Sequence, residues 1–176
     1  LKTQTLEHAY KSTYMQDLRR QFLAGLQPKT CQLCWNEEAA GRDSKRINSQ
    51  TRLKYLYDQV DWQNLSPDQL WFIDLKLGNI CNLKCRICGS WSSSQFATEE
   101  LHDMNPAEDK KASYPYQMLR AGAWPQENPQ FWSEIDKVSD QIRYIEFTGG
   151  EPFMIREHFQ MLQGLVDRGI AGQVEI

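Results

Sequence analysis

Leu6, Tyr10, Tyr14, Leu18, Phe22 and Leu26 recur at four-residue steps, which is the spacing of one helical face, and Met15 widens that face. The pattern predicts an amphipathic helix over 6–26, stopped by Gly25 and Pro28. A short helix is expected over 33–40, ended by Gly41. Another is expected over 47–60, carrying Leu53, Leu56, Tyr57 and Val60. Segment 1–65 is therefore expected to be helical.

The pattern changes at Ser66-Pro67-Asp68. Residues 70–77, Leu-Trp-Phe-Ile-Asp-Leu-Lys-Leu, are aromatic and β-branched and alternate in their second half, as a buried strand does. Gly78-Asn79 breaks that strand. A helix is expected over 90–103, with Ser92-Ser93-Ser94 at its start as capping residues. Segment 105–129 holds four prolines and many polar residues and reads as a surface insertion. A helix over 130–141 places Phe131, Ile135 and Val138 on one face, and a strand over 142–147 follows. A helix over 156–168 turns Phe159, Leu162, Leu165 and Val166 inward and is capped by Gly169. Val174 opens a third strand. This alternation of strand and helix over 66–176 predicts an α/β fold with parallel strands, of the barrel kind. In such folds the chemistry sits on the loops that follow the strands.

Composition narrows the class. Of 176 residues, 40% are hydrophobic and 24% charged, with a formal net charge of −3, so no strong basic field is present to attract nucleic acid. Arg19-Arg20 and Lys45-Arg46 are short basic steps on solvated faces. No apolar run reaches the roughly 18 residues that a membrane span needs, and no signal peptide is visible, so the expectation is a cytoplasmic protein. The chain starts at Leu1 and stops at Ile176 as a strand begins, which suggests a piece of a longer protein. His8, His102 and His158 are expected at the surface, and Trp35, Trp71, Trp91 and Trp132 in the core.

The five cysteines carry the most specific signal. They form two groups, Cys31-Gln-Leu-Cys34 and Cys81-Asn-Leu-Lys-Cys85-Arg-Ile-Cys88. In a reducing compartment such spacings suggest metal or redox chemistry rather than disulfides. A [4Fe–4S] cluster takes thiolates at its iron corners, and three cysteines spaced C-x3-C-x2-C leave the fourth iron open. Lys84 and Arg86 are expected to offset some of the cluster's negative charge. A zinc ribbon built from Cys31/Cys34 and Cys85/Cys88 would leave Cys81 over. Gly149-Gly150-Glu151-Pro152 by itself would be an ordinary tight turn.

Together, the loop Cys81-x3-Cys85-x2-Cys88 after a first strand and Gly149-Gly150-Glu151-Pro152 after a second resemble the radical S-adenosylmethionine superfamily. The resemblance covers about residues 70–176. It implies a partial (β/α) barrel, of which this chain carries the first two β/α units behind its helical N-terminal segment. It also implies that Cys81, Cys85 and Cys88 hold a [4Fe–4S] cluster whose open iron binds S-adenosylmethionine. An electron donor is then needed for reductive cleavage to a 5′-deoxyadenosyl radical that abstracts hydrogen from substrate. By the same resemblance Ile87, Gly89, Gly149, Gly150, Glu151 and Pro152 are cofactor-binding residues. Ile87 stands where the family usually has an aromatic residue. The segment from Tyr14 to Trp35, with Cys31 and Cys34, resembles the end of the auxiliary-cluster modules called SPASM or twitch domains. That implies a second iron–sulfur cluster and a peptide or protein substrate. A zinc knuckle or a plain pair at the start of a helix is the alternative for Cys31/Cys34. For the whole chain the alternative is a non-catalytic zinc- or iron–sulfur-binding structural protein.

Overall fold

The computed structural model describes residues 5–61, 64 and 69–176. The chain divides into two compact units, Leu1–Gln69 and Leu70–Ile176. Ser66-Pro67-Asp68, where the pattern changes, lies outside the described residues.

The first unit is helical: α1 (Leu6–Tyr10), α2 (Thr13–Leu23), α3 (Gln32–Ala39), α4 (Lys45–Arg52) and α5 (Lys54–Tyr57). The single helix expected over 6–26 is divided, because the Ser12 hydroxyl accepts from the Met15 N–H and starts a second helix. The helix expected over 47–60 is also divided, at Leu53 between α4 and α5, here with no side-chain cap. The apolar stripe of α2 stays largely solvated, with Tyr14 57% exposed and no residue of the helix buried. The small core lies further along, at Trp35, Leu53 and Leu56. The Trp35 indole N–H donates to the Pro28 carbonyl at 2.9 Å, and the Arg46 guanidinium lies over its ring at 4.8 Å.

Arg46 also grips Glu38, with Nε 3.0 Å from Oε1, and the Ser44 hydroxyl donates to the same oxygen. The hydrogen bond from Arg46, then that from Ser44, holds the Glu38 carboxyl below its ordinary pKa. A carboxyl lowered on folding stabilises above its unfolded pKa, and that contribution disappears as pH falls through the folded value. Glu38→Gln should therefore destabilise the first unit near neutral pH and match the parent in acid. Urea melts of both proteins across pH would check this.

The second unit is mixed α/β. Strands β1 (Phe72–Lys76) and β2 (Tyr144–Thr148) pair in parallel, with Phe72 opposite Tyr144 and Lys76 opposite Thr148. The third strand expected at Val174 is present as one parallel bridge between Tyr144 and Glu175. Ile73, Leu75 and Ile145 are buried on one sheet face, while Phe72, Asp74 and Lys76 alternate to the exposed face.

Between the strands come α6 (Ser94–Asp103), α7 (Tyr114–Gly122), α8 (Trp124–Glu127) and α9 (Pro129–Val138). The expected surface insertion over 105–129 is thus corrected: much of it is helix, and α7 packs along α6. Pro115, Pro125 and Pro129 all sit in the first turn of a helix, where a missing N–H costs nothing, and Pro115 and Pro125 are buried. Trp124 of α8 meets Phe131 edge-on at 5.0 Å and donates its indole N–H to the carbonyl of Lys76, the last residue of β1.

Helix α10 (Arg156–Asp167) packs on α9 with a face that matches the expected one at Leu165 but not at Phe159 or Val166. Its buried residues are Glu157, His158, Met161 and Leu165, whereas Phe159 is 47% and Val166 58% exposed. Gly164 sits in this helix with no neighbouring atom within 4 Å of where a Cβ would stand. Gly164→Ala should therefore stabilise the protein by about 0.5–1 kcal/mol, the difference in helix propensity, raising the melting temperature.

Candidate functional site at the carboxyl ends of two parallel strands

Parallel pairing sets both motifs side by side. Beyond the last pair, the Leu77 N–H still donates to the Thr148 carbonyl at 2.9 Å, so the two chains leave the sheet together. The cysteine loop then follows β1 and the glycine-rich loop follows β2. The loops are joined by backbone hydrogen bonds: Gly150 N–H to the Gly78 carbonyl at 3.0 Å, and Glu151 N–H to the Ile80 carbonyl at 2.7 Å.

This docking explains the glycines. Gly149 has φ +97°, which L side chains rarely adopt, and a Cβ there would stand 2.5 Å from the Gly78 carbonyl oxygen. At Gly150 a Cβ would come within 2.1 Å of the Ile80 carbonyl oxygen. The close approach that requires glycine is therefore made to the neighbouring loop. Gly89 is buried beneath the ring of Trp91, which a Cβ would overlap. Trp91 itself is 49% exposed and so departs from the core role expected of it.

Cys81 is buried, Cys88 half-buried and Cys85 exposed. The loop that carries them is closed by its own polar groups. The Ser94 N–H donates to the Asn79 carbonyl at 2.7 Å, and the Ser94 hydroxyl bridges the N–H and carbonyl of Cys81, at 3.2 Å each. The Ser93 hydroxyl donates to the Leu83 carbonyl at 2.7 Å. These serines were expected to cap a helix. Ser93 does precede α6, but its side chain makes no cap bond and ties the cysteine loop instead. Asn79, expected only to end a strand, is 3% exposed, and its amide donates to the carbonyls of Ser90 and Met118 at 3.0 and 3.2 Å. Its one sequence signal is an Asn two residues before the first cysteine.

The sulfurs have backbone neighbours as well. The Leu83 N–H donates to Cys81 Sγ at 3.3 Å, a contact of the type that tunes a ligating thiolate. The Cys88 thiol lies 3.8 Å from the Gly89 carbonyl, a contact it would give up on losing its proton to a metal. Lys84, expected to offset cluster charge, is already paired with Glu99 of α6 at 2.8 Å. Arg86 is exposed, and Ile87 is 93% exposed beside it.

Three soft thiols on one short loop suit iron–sulfur ligation by their chemistry. Among the described residues no three His, Cys, Asp or Glu side chains are gathered closely enough to hold a single metal ion. Thiolates serving separate irons of one cluster have no need to converge on a point.

On the glycine-rich loop, Glu151 Oε1 accepts from the Phe153 N–H at 3.1 Å and caps a short turn, Pro152–Met154. Phe153 is 73% exposed. His158 corrects the surface placement expected of it: it is 4% exposed, with Nδ1 3.0 Å from the Pro152 carbonyl. His8 and His102 are exposed.

Cys31 and Cys34 belong to the first unit. Cys31 ends a short turn, Lys29–Cys31, and immediately precedes α3, while Cys34 lies within that helix beside Trp35. Both thiols are half-buried. Among the described residues no helix is long and apolar enough to cross a membrane. No protein family, curated protein or solved structure matches this chain.

Proposed function

We propose that the second unit is the start of a radical S-adenosylmethionine enzyme core. Cys81, Cys85 and Cys88 are its [4Fe–4S] ligands, and the Gly149–Pro152 loop is part of its S-adenosylmethionine site. The observation that carries the reading is the hydrogen-bonded docking of the two motifs at the carboxyl ends of adjacent parallel strands. When bound, a cluster with one open iron supplies the electron for reductive cleavage of S-adenosylmethionine, whose adenosyl radical then takes a hydrogen atom from substrate.

In this reading the chain's own residues prepare the site. Ser93, Ser94 and Asn79 hold the cysteine loop closed, so less ordering is left for ligand binding to impose. The Leu83 N–H holds the Cys81 sulfur. Exposed Ile87 offers an apolar surface beside the third cysteine, suited to the flat face of a purine. The substrate class we propose is a peptide or protein, and Cys31/Cys34 is proposed as part of an auxiliary iron–sulfur site. Both proposals rest on the likeness of the first unit to auxiliary-cluster modules.

Anaerobic reconstitution with iron and sulfide, followed by reduction, should give a cluster EPR signal that changes on adding S-adenosylmethionine. A reconstituted protein whose signal ignores the cofactor would sink the proposal. Tight zinc in the natively purified protein, with no cofactor cleavage after reconstitution, would point to a structural metal site.

A further inference from the structure

We infer that His158 is a positioning residue for the glycine-rich loop. As the Nδ1–H tautomer it donates to the Pro152 carbonyl and so keeps Gly150 and Glu151 docked against the cysteine loop. A carbonyl only accepts, so the 3.0 Å contact requires the proton on Nδ1. The ring is wedged between elements: its centroid lies 4.3 Å from that of Phe147 on β2, 5.2 Å from Phe159 and 5.6 Å from Phe153.

The turn it holds behaves as one body. Glu151 Oε1 accepts from the Phe153 N–H, the Met154 N–H donates to the Glu151 carbonyl at 2.9 Å, and the Ile155 N–H donates to the Pro152 carbonyl at 3.0 Å. On its amino side this body is fastened to the cysteine loop through Gly150 and Glu151. On its carboxyl side it is fastened by the fully buried side chain of Ile155 and by His158, which itself rests on the strand that the loop leaves. Losing the His158 bond removes the hydrogen-bonded anchor of the turn and loosens its hold on the two backbone bonds that join the motifs. That the loop contacts S-adenosylmethionine rests on the reading above, whereas the anchoring itself does not.

Three variants separate the donor from the ring. His158→Phe keeps an aromatic ring without a donor, His158→Asn places an amide nitrogen near the Nδ1 position, and His158→Gln places one nearer Nε2. In His158→Phe and His158→Gln the Gly150 and Glu151 amides should exchange with deuterium about tenfold faster than in the parent, the size of one lost buried hydrogen bond. In His158→Asn they should stay within about threefold of the parent. In reconstituted protein, S-adenosylmethionine affinity should follow the same order while iron content stays level.

Parent-like exchange in His158→Phe, or exchange in His158→Asn as fast as in His158→Phe, overturns the inference. Should the variants fail to fold, nitrogen-15 NMR of the parent imidazole decides: a proton on Nδ1 supports it and one on Nε2 overturns it. If the parent binds no S-adenosylmethionine, the cofactor reading fails by itself, and the exchange measurements still judge His158.

Discussion

Cys85→Ala is expected to remove the iron–sulfur cluster proposed for its loop, and with it the proposed cofactor cleavage, while leaving the melting temperature of the apoprotein almost unchanged. The side chain is exposed, so truncation opens no cavity, and substitutions of this kind usually move stability by no more than about 0.5 kcal/mol. The backbone bond at this position, from the Cys88 N–H to the Cys85 carbonyl at 2.8 Å, does not involve the sulfur and persists in the variant. What is lost is one thiolate of three, and two cannot hold a cluster whose fourth iron is already open. Iron and sulfide content, the visible absorption of the reconstituted protein and apoprotein melts measure the two halves of the prediction. A Cys85→Ala protein that still loads a reducible cluster and cleaves cofactor would refute the assignment of the loop. The corresponding change at Cys81 is less informative, because that residue is buried and its backbone is clasped by Ser94.

Gly150→Ala should do the opposite, costing about 3–4 kcal/mol of stability through one methyl group. The new Cβ would stand 2.1 Å from the Ile80 oxygen, 2.7 Å from the Ile80 carbonyl carbon and 2.8 Å from the Asn79 carbonyl carbon. All three are backbone atoms, so no side chain can swing aside. Relief requires the loops to separate, which breaks the Gly150–Gly78 and Glu151–Ile80 hydrogen bonds. At about 2–4 °C per kcal/mol for a chain of this size, the melting temperature should fall by about 6–16 °C. Gly164→Ala, with open space around its Cβ, is the control that should move the other way. A Gly150→Ala protein that melts like the parent would mean the two loops are not docked as described.

The cofactor role proposed for the glycine-rich loop and the packing role found for its glycines are compatible, but they predict different failures. A glycine needed only for ligand approach would cost affinity when replaced and spare the fold. Gly149 and Gly150 meet the neighbouring loop's backbone, so replacing them should cost the fold as well.

Much of this was legible in the residues themselves. The C-x3-C-x2-C spacing, the Gly-Gly-Glu-Pro run and the apolar stretches preceding each place both motifs after strands, because strand propensity and turn chemistry are local properties. Local patterning misled where burial decided the outcome. Four prolines over 105–129 read as a loop breaker, yet three of the chain's prolines begin helices, a distinction set by which residue of the first turn they occupy. The apolar residues of α10 read as its inner face, yet Glu157 and His158 are buried while Phe159 and Val166 are not. Helical period specifies a face but not what that face meets.

The sequence alone therefore determined the donor atoms: which thiols share a loop, how far apart they lie along the chain, and where the backbone can take φ values closed to other residues. Only the tertiary structure decided that the two loops bond to one another, that Asn79, Ser93 and Ser94 clasp the cysteines, that Lys84 is already paired with Glu99, and that His158 lies beneath the Pro152 turn. The reason is distance along the chain. Cysteine spacing is a matter of neighbouring residues, whereas the Gly78 carbonyl and the Gly150 amide meet only after a parallel pairing has closed the long crossover between β1 and β2.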